Sequence, residues 1–433
     1  GFDELSALAA TFPPERVERI TSVPVAQIVK LANMMSDDRP VGVWQGLGVE
    51  HHESGVQTVR AISSLEVLCG RFDGTHDEKS QVSRFSPKAI NEKLPALYRM
   101  RTPKPIPPPI RSAPLGRVRF PLYEVFNREA QGEVLADAIL NDTPYPVRAL
   151  ILWASNALIT ASGSQRMAEA ANKLELLVTV DPFLSASAQQ SDIVLPASTF
   201  AESLDVDADD ERVAQQSLVP AVGDAKADFN ILSDLARAMG LGEYFPWKNF
   251  HEAMRAPHVE WMQDREIDIQ PQLETDDPKF GTLSGKAEFS SALLEKFQYA
   301  PLPVWSPPSL SPSPEYPLRL VTGPRPRARI NSQFQQSPSV TARMREPELL
   351  IHPQAAEQAK IMHGATVRVV SPAGEIAIRA VVTKDVHPEC VVMPAGWASA
   401  NANVLISDRQ RDSISGFPAF RSGVCRVEPI GQR

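Results

Sequence analysis

Three short apolar runs constrain this chain more than any other feature: RALILW at 148–153, LELLVTV at 174–180 and SDIVLPA at 191–197. Each is too short for a typical helix and too continuous for a strand with one wet face. An unbroken apolar run of that length suits a strand buried on both faces, the position strands take in parallel sheets. Between the first two runs, ASNA leads into helical spacing around Met167, Ala168 and Ala171. Strand, helix and strand in that order predict an α/β unit with a parallel sheet.

The segment 20–75 carries a second, similar pattern. Val25, Ile28, Val29, Ala32 and Met35 fall at helical spacing behind Ser22 and Pro24, and the helix is expected to end near Asp37 and Asp38. A strand is predicted at Val41–Trp44, followed by GLGVEHHESG and a helix through Val56, Val59, Ile62 and Leu65 that stops near Gly70. From Thr75 to Tyr145 the pattern blurs, and PKPIPPPI at 103–110 predicts an extended surface excursion. Asp228 is placed to cap a helix carrying Ile231, Leu232, Leu235 and Met239, closed by Gly240. PLPVWSPPSLSPSPEYP at 301–317 is the clearest linker. Beyond it, TVRVVSPAGEIAIRAVVT alternates through two strands about a turn and VVMPAGW supplies a third, so a small β barrel is expected. The expected units are an α/β segment with its proline-rich excursion at 1–145 and a second α/β domain at 146–225. A helical and irregular stretch at 226–312 and a barrel domain at 313–433 complete the division.

In an open parallel sheet, ligands bind beyond the carboxyl ends of the strands. Gly46 and Gly48, Asn156, and Asp181 stand at three such ends. A carboxylate there can accept hydrogen bonds from ribose hydroxyls or from the N1–H and amine of guanine, while Asn156 and nearby amides can hold a phosphate. The same spacing is met by a plain Asp-Pro turn and an Asn cap, so both readings stand on these residues alone. Asp192, at the start of the third run, reads as a loop or capping residue.

Other features exclude more than they suggest. The net charge is −8 with both signs mixed along the chain, which speaks against nucleic acid as a partner. No apolar run approaches the roughly 20 residues of a membrane span. Cys69, Cys390 and Cys425 are far apart and read as small buried hydrophobes, without a disulfide framework or thiolate metal site. His51 and His52 lack further ligands at metal spacing and read as polar loop residues, and no metal-ligating residue is assigned. DVDADDER at 205–212 lacks the glycine and closing glutamate of a calcium loop and reads as a solvated acidic loop. The chain opens on Gly1 instead of Met, which suggests a piece of a longer protein and leaves cytoplasmic and periplasmic locations equally open.

Several of these segments, in this order, resemble one family. NILSDLARAMG, TLSGKAEFSS, YPLRLVTGPRPRARINSQF, IHPQAAEQAKIMHGATVRVVSPAGEI and GWASANANVL, with SDIVLPA before them, are similar to the C-terminal half of molybdopterin oxidoreductases of the dimethyl sulfoxide reductase superfamily. The likeness covers residues 20–75 and 146–433. It implies parallel-sheet α/β domains that bind dinucleotides, followed by a C-terminal double-psi β barrel. The implied cofactor is a molybdenum or tungsten ion held by two molybdopterin guanine dinucleotides.

Carried over by motif, Gly46 and Gly48 match the family's Gly-x-Gly turn, Asn156 its Asn-Pro turn, Asp181 the nucleotide-binding aspartate and Ser185 the hydroxyl residue just beyond. Thr322, Arg325, Ser332, Trp397 and Asn403 match positions on the pterin or phosphate side of the barrel. There are departures. Asn331-Ser332 stands where the family has His-Ser, Asn156-Ala157 where it has Asn-Pro, and CGRFDGTHDEKSQ after Leu68 where a glycine-rich segment approaches the metal, leaving Arg84 as a weak candidate near it. DVDADDER replaces another family loop but keeps Arg212.

The family's 4Fe-4S cysteine motif and its metal ligand belong to sequence upstream of Gly1, so the catalytic residues are not named and this piece alone is expected to be inactive. The resemblance further implies a small-molecule substrate, an iron–sulfur electron-transfer subunit as partner, and kinship with the branch of formate dehydrogenases, thiosulfate or polysulfide reductases and acetylene hydratase. The competing reading is a non-catalytic electron-relay scaffold of the same fold, like the large iron–sulfur subunit of respiratory complex I.

Overall fold

The computed structural model describes residues 1–37, 43–69, 113–127, 129–203, 217–255, 282, 284–323 and 331–430. Three helices, Phe2–Ala10, Pro14–Thr21 and Val25–Ser36, open the chain. Proline stands at the first position of the second and just before the third, where a missing N–H and a fixed φ cost nothing. The third helix has the expected bounds. The strand expected at Val41–Trp44 does not form over its described part: Val43 and Trp44 have no strand partner, and Trp44 is 93% exposed. Two helices, Leu47–Glu50 and Gly55–Leu68, follow; Gly46 is the residue before the first and Gly48 lies within it, so the two glycines form a helix start and not a turn at a strand end over the described residues.

The parallel sheet is formed by β1 (Ala149–Trp153), β2 (Leu176–Asp181) and β3 (Ile193–Pro196) in that spatial order. Trp153 pairs with Val180, and Asp181 with Pro196, so all three strands end together. Helices Leu135–Asn141 and Ser164–Lys173 cover one face through Ile139, Met167 and Ala170, packed on Leu152 and Leu177. Ile231, from the helix Asp228–Ala238, meets Val180 and Ala197 on the other face.

Burial on both faces holds for β2 alone. β1 is an edge strand whose Leu152 is buried while Ile151 stays 46% exposed. Asp228 is the first helical residue and not the cap, a place Ala227 takes without a side-chain bond. The helices Pro121–Asn127 and Leu135–Asn141 fall where an irregular excursion was expected. Their buried residues, Leu122, Ala138 and Ile139 among them, belong to packed cores, so tertiary contact fixes them where local pattern is weak.

The C-terminal unit is a closed six-stranded barrel in the order β4-β8-β5-β7-β6-β9. Its strands are β4 (Leu318–Thr322), β5 (Glu348–Ile351), β6 (Thr366–Val370), β7 (Glu375–Val382), β8 (Cys390–Met393) and β9 (Gly423–Pro429). Pairs β4/β8 and β5/β7 are parallel and the rest antiparallel. Alternation decides the interior: Val367 and Val369 point in with no exposure, while Arg368 between them faces out and pairs with Glu428.

Cys425 lies fully inside the barrel, and burial pushes its thiol up to about 12; Cys69 and Cys390 are only partly buried, short of the expectation for them. No helix of the described residues is long and apolar enough to cross a membrane.

Candidate cofactor site

The crevice beyond β1, β2 and β3 is built by a closed set of hydrogen bonds. The backbone leaves β1 through Ala154, at φ +49°, whose N–H still donates to Val180 O at 3.0 Å. Asn156 then starts a single helical turn, Ala157–Thr160, and its carbonyl accepts the Ile159 and Thr160 N–H groups. The Asn156 side chain does not cap that turn. Its Oδ1 reaches across to the β2 loop, accepting the N–H of Ser187 at 3.0 Å and its hydroxyl at 2.8 Å. Ser187 in turn accepts the Leu158 N–H at 3.2 Å. The sequence reading missed Ser187; the signal was the second hydroxyl of SAS, two residues past Ser185.

Asp181, at the end of β2, accepts the Phe183 N–H on Oδ1 at 2.8 Å, the Asx turn that Asp-Pro favours. Its second oxygen makes no bond among the described residues. Ser185 accepts the Ala188 N–H at 3.3 Å within the same loop. Asp192 behaves as a structural carboxylate: it exchanges hydrogen bonds with Leu177, accepting the Leu177 N–H at 2.7 Å and donating its own N–H to Leu177 O at 2.9 Å.

The Gly46–Gly48 segment faces the C-terminal loop of the barrel. A Cβ on Gly46 would meet nothing within 4 Å, and one on Gly48 would lie 3.5 Å from the Arg421 guanidinium. Arg421 is anchored by its N–H to His51 O at 3.1 Å. His51 stacks on Phe417 with ring centroids 5.2 Å apart and meets Phe420 edge-on, and His52 pairs with the Ser422 hydroxyl at 3.1 Å. Burial, with Arg421 beside it, holds the His52 imidazolium below its ordinary range. Both histidines therefore join two units. Among the described residues no group of three or more His, Cys, Asp or Glu could hold a metal ion. Arg421 was not singled out in the sequence because its role comes from a segment some 370 positions away.

At the barrel end, Thr322 is buried and donates its hydroxyl to Phe420 O at 2.8 Å. Asn403 is 2% exposed, and its amide nitrogen donates to Ile159 O and Thr160 O, each at 3.0 Å. Ser332 lies in the turn 331–336, where Asn331 takes φ +49°, a conformation that asparagine tolerates. That turn sits directly on Gly396, at φ +82°, where a Cβ would come within 2.4 Å of Asn331 backbone; Gln335 also donates to Gly396 O. Trp397, 9% exposed, follows immediately. Arg325, Arg84, Arg212, the proline-rich PKPIPPPI and the acidic DVDADDER lie outside the described residues.

These features are those of a known group of proteins. Residues 29–238 match the family model described as molybdopterin oxidoreductase, and residues 318–424, the barrel, match the molydopterin dinucleotide binding domain. The chain belongs to the molybdopterin oxidoreductase family.

Its relatives include a probable oxidoreductase of Bacillus subtilis, YoaE, 27% identical over 99% of this chain and 62% of the relative. Acetylene hydratase of Syntrophotalea acetylenica is 25% identical over 87% of this chain and 56% of its own length. The solved acetylene hydratase from Pelobacter acetylenicus has the same fold, with a TM-score of 0.78 at 22% identity, covering 99% of this chain and 66% of that one. The chain thus spans roughly three fifths of the curated relatives it matches.

Two observations fit the dinucleotide that the family binds. Asp181 offers a carboxylate oxygen without a partner among the described residues at the end of β2, suited to the N–H edge of guanine. The Arg421 cation lies beside Gly48, two residues past the open position at Gly46, and is suited to a diphosphate.

Proposed function

We propose that this chain is the part of a molybdenum or tungsten oxidoreductase that holds a bis(molybdopterin guanine dinucleotide) cofactor. The loops after β1 and β2 receive a guanosine end, with Asp181 as the base or ribose acceptor and Asn156 and Ser185 shaping the loop. The Gly46–Gly48 segment and Arg421 receive a diphosphate. The barrel, read as a double-psi barrel from its two parallel pairings between non-consecutive strands, closes on the pterin side through Ser332 and Trp397, with Arg325 assigned there from its sequence motif. Thr322 and Asn403 serve this site through the backbone carbonyls they bind.

When bound, the cofactor supplies two-electron redox or oxygen-atom chemistry at its metal. The protein groups bind, orient and neutralise it. A 4Fe-4S cluster, an electron-transfer partner subunit and a small-molecule substrate complete the proposed enzyme. The relay-scaffold alternative is not favoured, since the relatives are named as oxidoreductases, reductases, dehydrogenases and a hydratase.

The observation that carries this reading is the Asp181 carboxylate at the shared end of the strands, with one oxygen engaged by its own loop and one without a partner among the described residues. Calorimetric titration of the chain with GMP tests it. Saturable binding that Asp181→Ala abolishes is expected, and equal affinity in wild type and variant would overturn the assignment. Metal analysis of the complete protein is expected to show molybdenum or tungsten.

A further inference from the structure

The helical turn Ala157–Thr160 is too short to hold itself together, since one turn fixes several residues for very few internal bonds. Its amino end is tied into the Asn156–Ser187 set. Its carbonyl end is held from the barrel, by the Asn403 amide on Ile159 O and Thr160 O. These are the same two residues whose N–H groups bond Asn156 O. The amide can face only one way: turned over, its oxygen would confront two carbonyl oxygens. Oδ1 is sealed from solvent with no hydrogen-bond partner, so the donors of Asn403, and not its acceptor, are in use.

The Asn403 backbone N–H donates to Asn401 Oδ1 at 3.0 Å and Gly163 N–H donates to Ile406 O at 2.8 Å, which fix the backbone around Asn403. Asn401 also donates to Ser164 Oγ at 2.9 Å, a separate bond across the same interface that neither Asn403 donor shares.

We infer that Asn403 is a positioning residue, which sets the Asn156–Ser187 loop from the barrel side, so that the nucleotide end of the crevice takes its shape only when the barrel is docked. What the loop binds rests on the function proposed above; the positioning does not. The Asn403 donors are spent on the 157–160 turn and its Oδ1 is sealed from solvent, in contrast to the direct cofactor contact that its sequence motif implies.

The test is amide hydrogen exchange on the whole chain, with GMP titration in parallel. Asn403→Leu keeps the volume and removes both donors, Asn403→Ser is a milder variant that keeps one donor, and Ser164→Ala is a control at the same interface that leaves both Asn403 bonds intact. Asn403→Leu is expected to speed exchange at the Leu158 and Ser187 amides by about tenfold or more, as the loss of two hydrogen bonds implies. Asn403→Ser should fall between, and Ser164→Ala should stay within about twofold of wild type at those amides while GMP affinity is kept. If Asn403→Leu, or Asn403→Ser where the leucine variant does not fold, leaves both amides within about twofold of wild type, the inference is wrong. Absence of GMP binding in the wild type would count against the cofactor reading alone, because the exchange result decides the positioning.

Discussion

Ser187→Ala is the most informative single change at the crevice. Ser187 is fully buried, and its hydroxyl both donates to Asn156 Oδ1 at 2.8 Å and accepts the Leu158 N–H at 3.2 Å. Alanine removes one net hydrogen bond, about 1 kcal/mol, and leaves the Leu158 N–H buried without a partner, a further ~1–3 kcal/mol. Asn156 Oδ1 keeps the Ser187 N–H, so the loss stops short of the whole set. The expected cost is at least about 2 kcal/mol, or roughly 30-fold faster exchange through opening of this unit. A chain of several units need not unfold in one step, so the readout is native-state hydrogen exchange at Val178–Val180 in the central strand. Ser185→Ala is the contrast: its hydroxyl accepts one N–H, at 3.3 Å, in a loop with exposed neighbours, and should cost under about 1 kcal/mol. Exchange in Ser187→Ala within threefold of wild type, or equal effects of the two variants, would refute the account of the loop as a closed set held by Ser187.

Gly163→Ala should lower the melting temperature and expose the barrel interface to limited proteolysis. Gly163 sits at φ +57°, and a Cβ would come 2.7 Å from Asp408 Cβ, so a left-handed penalty of about 1–2 kcal/mol adds to a clash that neither backbone can relieve cheaply. Glu133 supplies a pH signature. Burial pushes its carboxyl above the ordinary range, while the Ser162 hydroxyl at 2.8 Å and the nearby Arg411 pull it partly back. The folded form therefore binds this proton more tightly than the unfolded chain, so the group's contribution is most favourable below the unfolded carboxylate's pKa. It declines as pH rises through the folded one. Glu133→Gln, melted at a series of pH values from acid to neutral, should gain on wild type as pH rises; a difference independent of pH would be contrary to this assignment.

The sequence was readable where one physical rule acts on neighbouring residues. Alternation in Thr366–Val370 and Glu375–Val382 predicts two paired strands, and the barrel places them in register from Val367↔Ile378 to Val370↔Glu375. Of the two carboxylates of the β2 loop, Asp192 binds its own sheet backbone, as a loop or capping residue does, whereas one Asp181 oxygen at the strand ends has no partner among the described residues. What could not be read depends on distant partners. Leu135–Asn141 has little local signal, because Ile139 is buried by Met167 and Leu152. Ile151 looks as apolar as Leu152, yet edge position leaves it exposed. Ser187, Arg421 and the half-buried His51 and His52 owe their roles to loops that only the folded chain brings near.

The most distant of these partners share one source. The loops after β8 reach back to segments hundreds of residues earlier: Asn403 to the 157–160 turn, Asp408 to Arg166 at 2.7 Å, Asp412 to the Val56 N–H at 3.1 Å and Arg421 to Gly48. The Asp412 contact is a helix cap supplied from the far end of the chain. Its Oδ2 takes a first-turn N–H of Gly55–Leu68, and its Oδ1 takes the Ile414 and Ser415 N–H groups that hold its own loop. A carboxylate at that position satisfies an orphan donor and favours the helix dipole together. The 55–68 helix and the 157–160 turn are therefore both completed by loops distant in sequence, and loop closure over such separations is costly before the contacts form. The loops after β8 thus touch both the 157–160 turn and the segment around Gly48, and a ligand that binds only the docked arrangement would stabilise both contacts at once, by RT ln(1 + L/Kd), where L is the free ligand concentration.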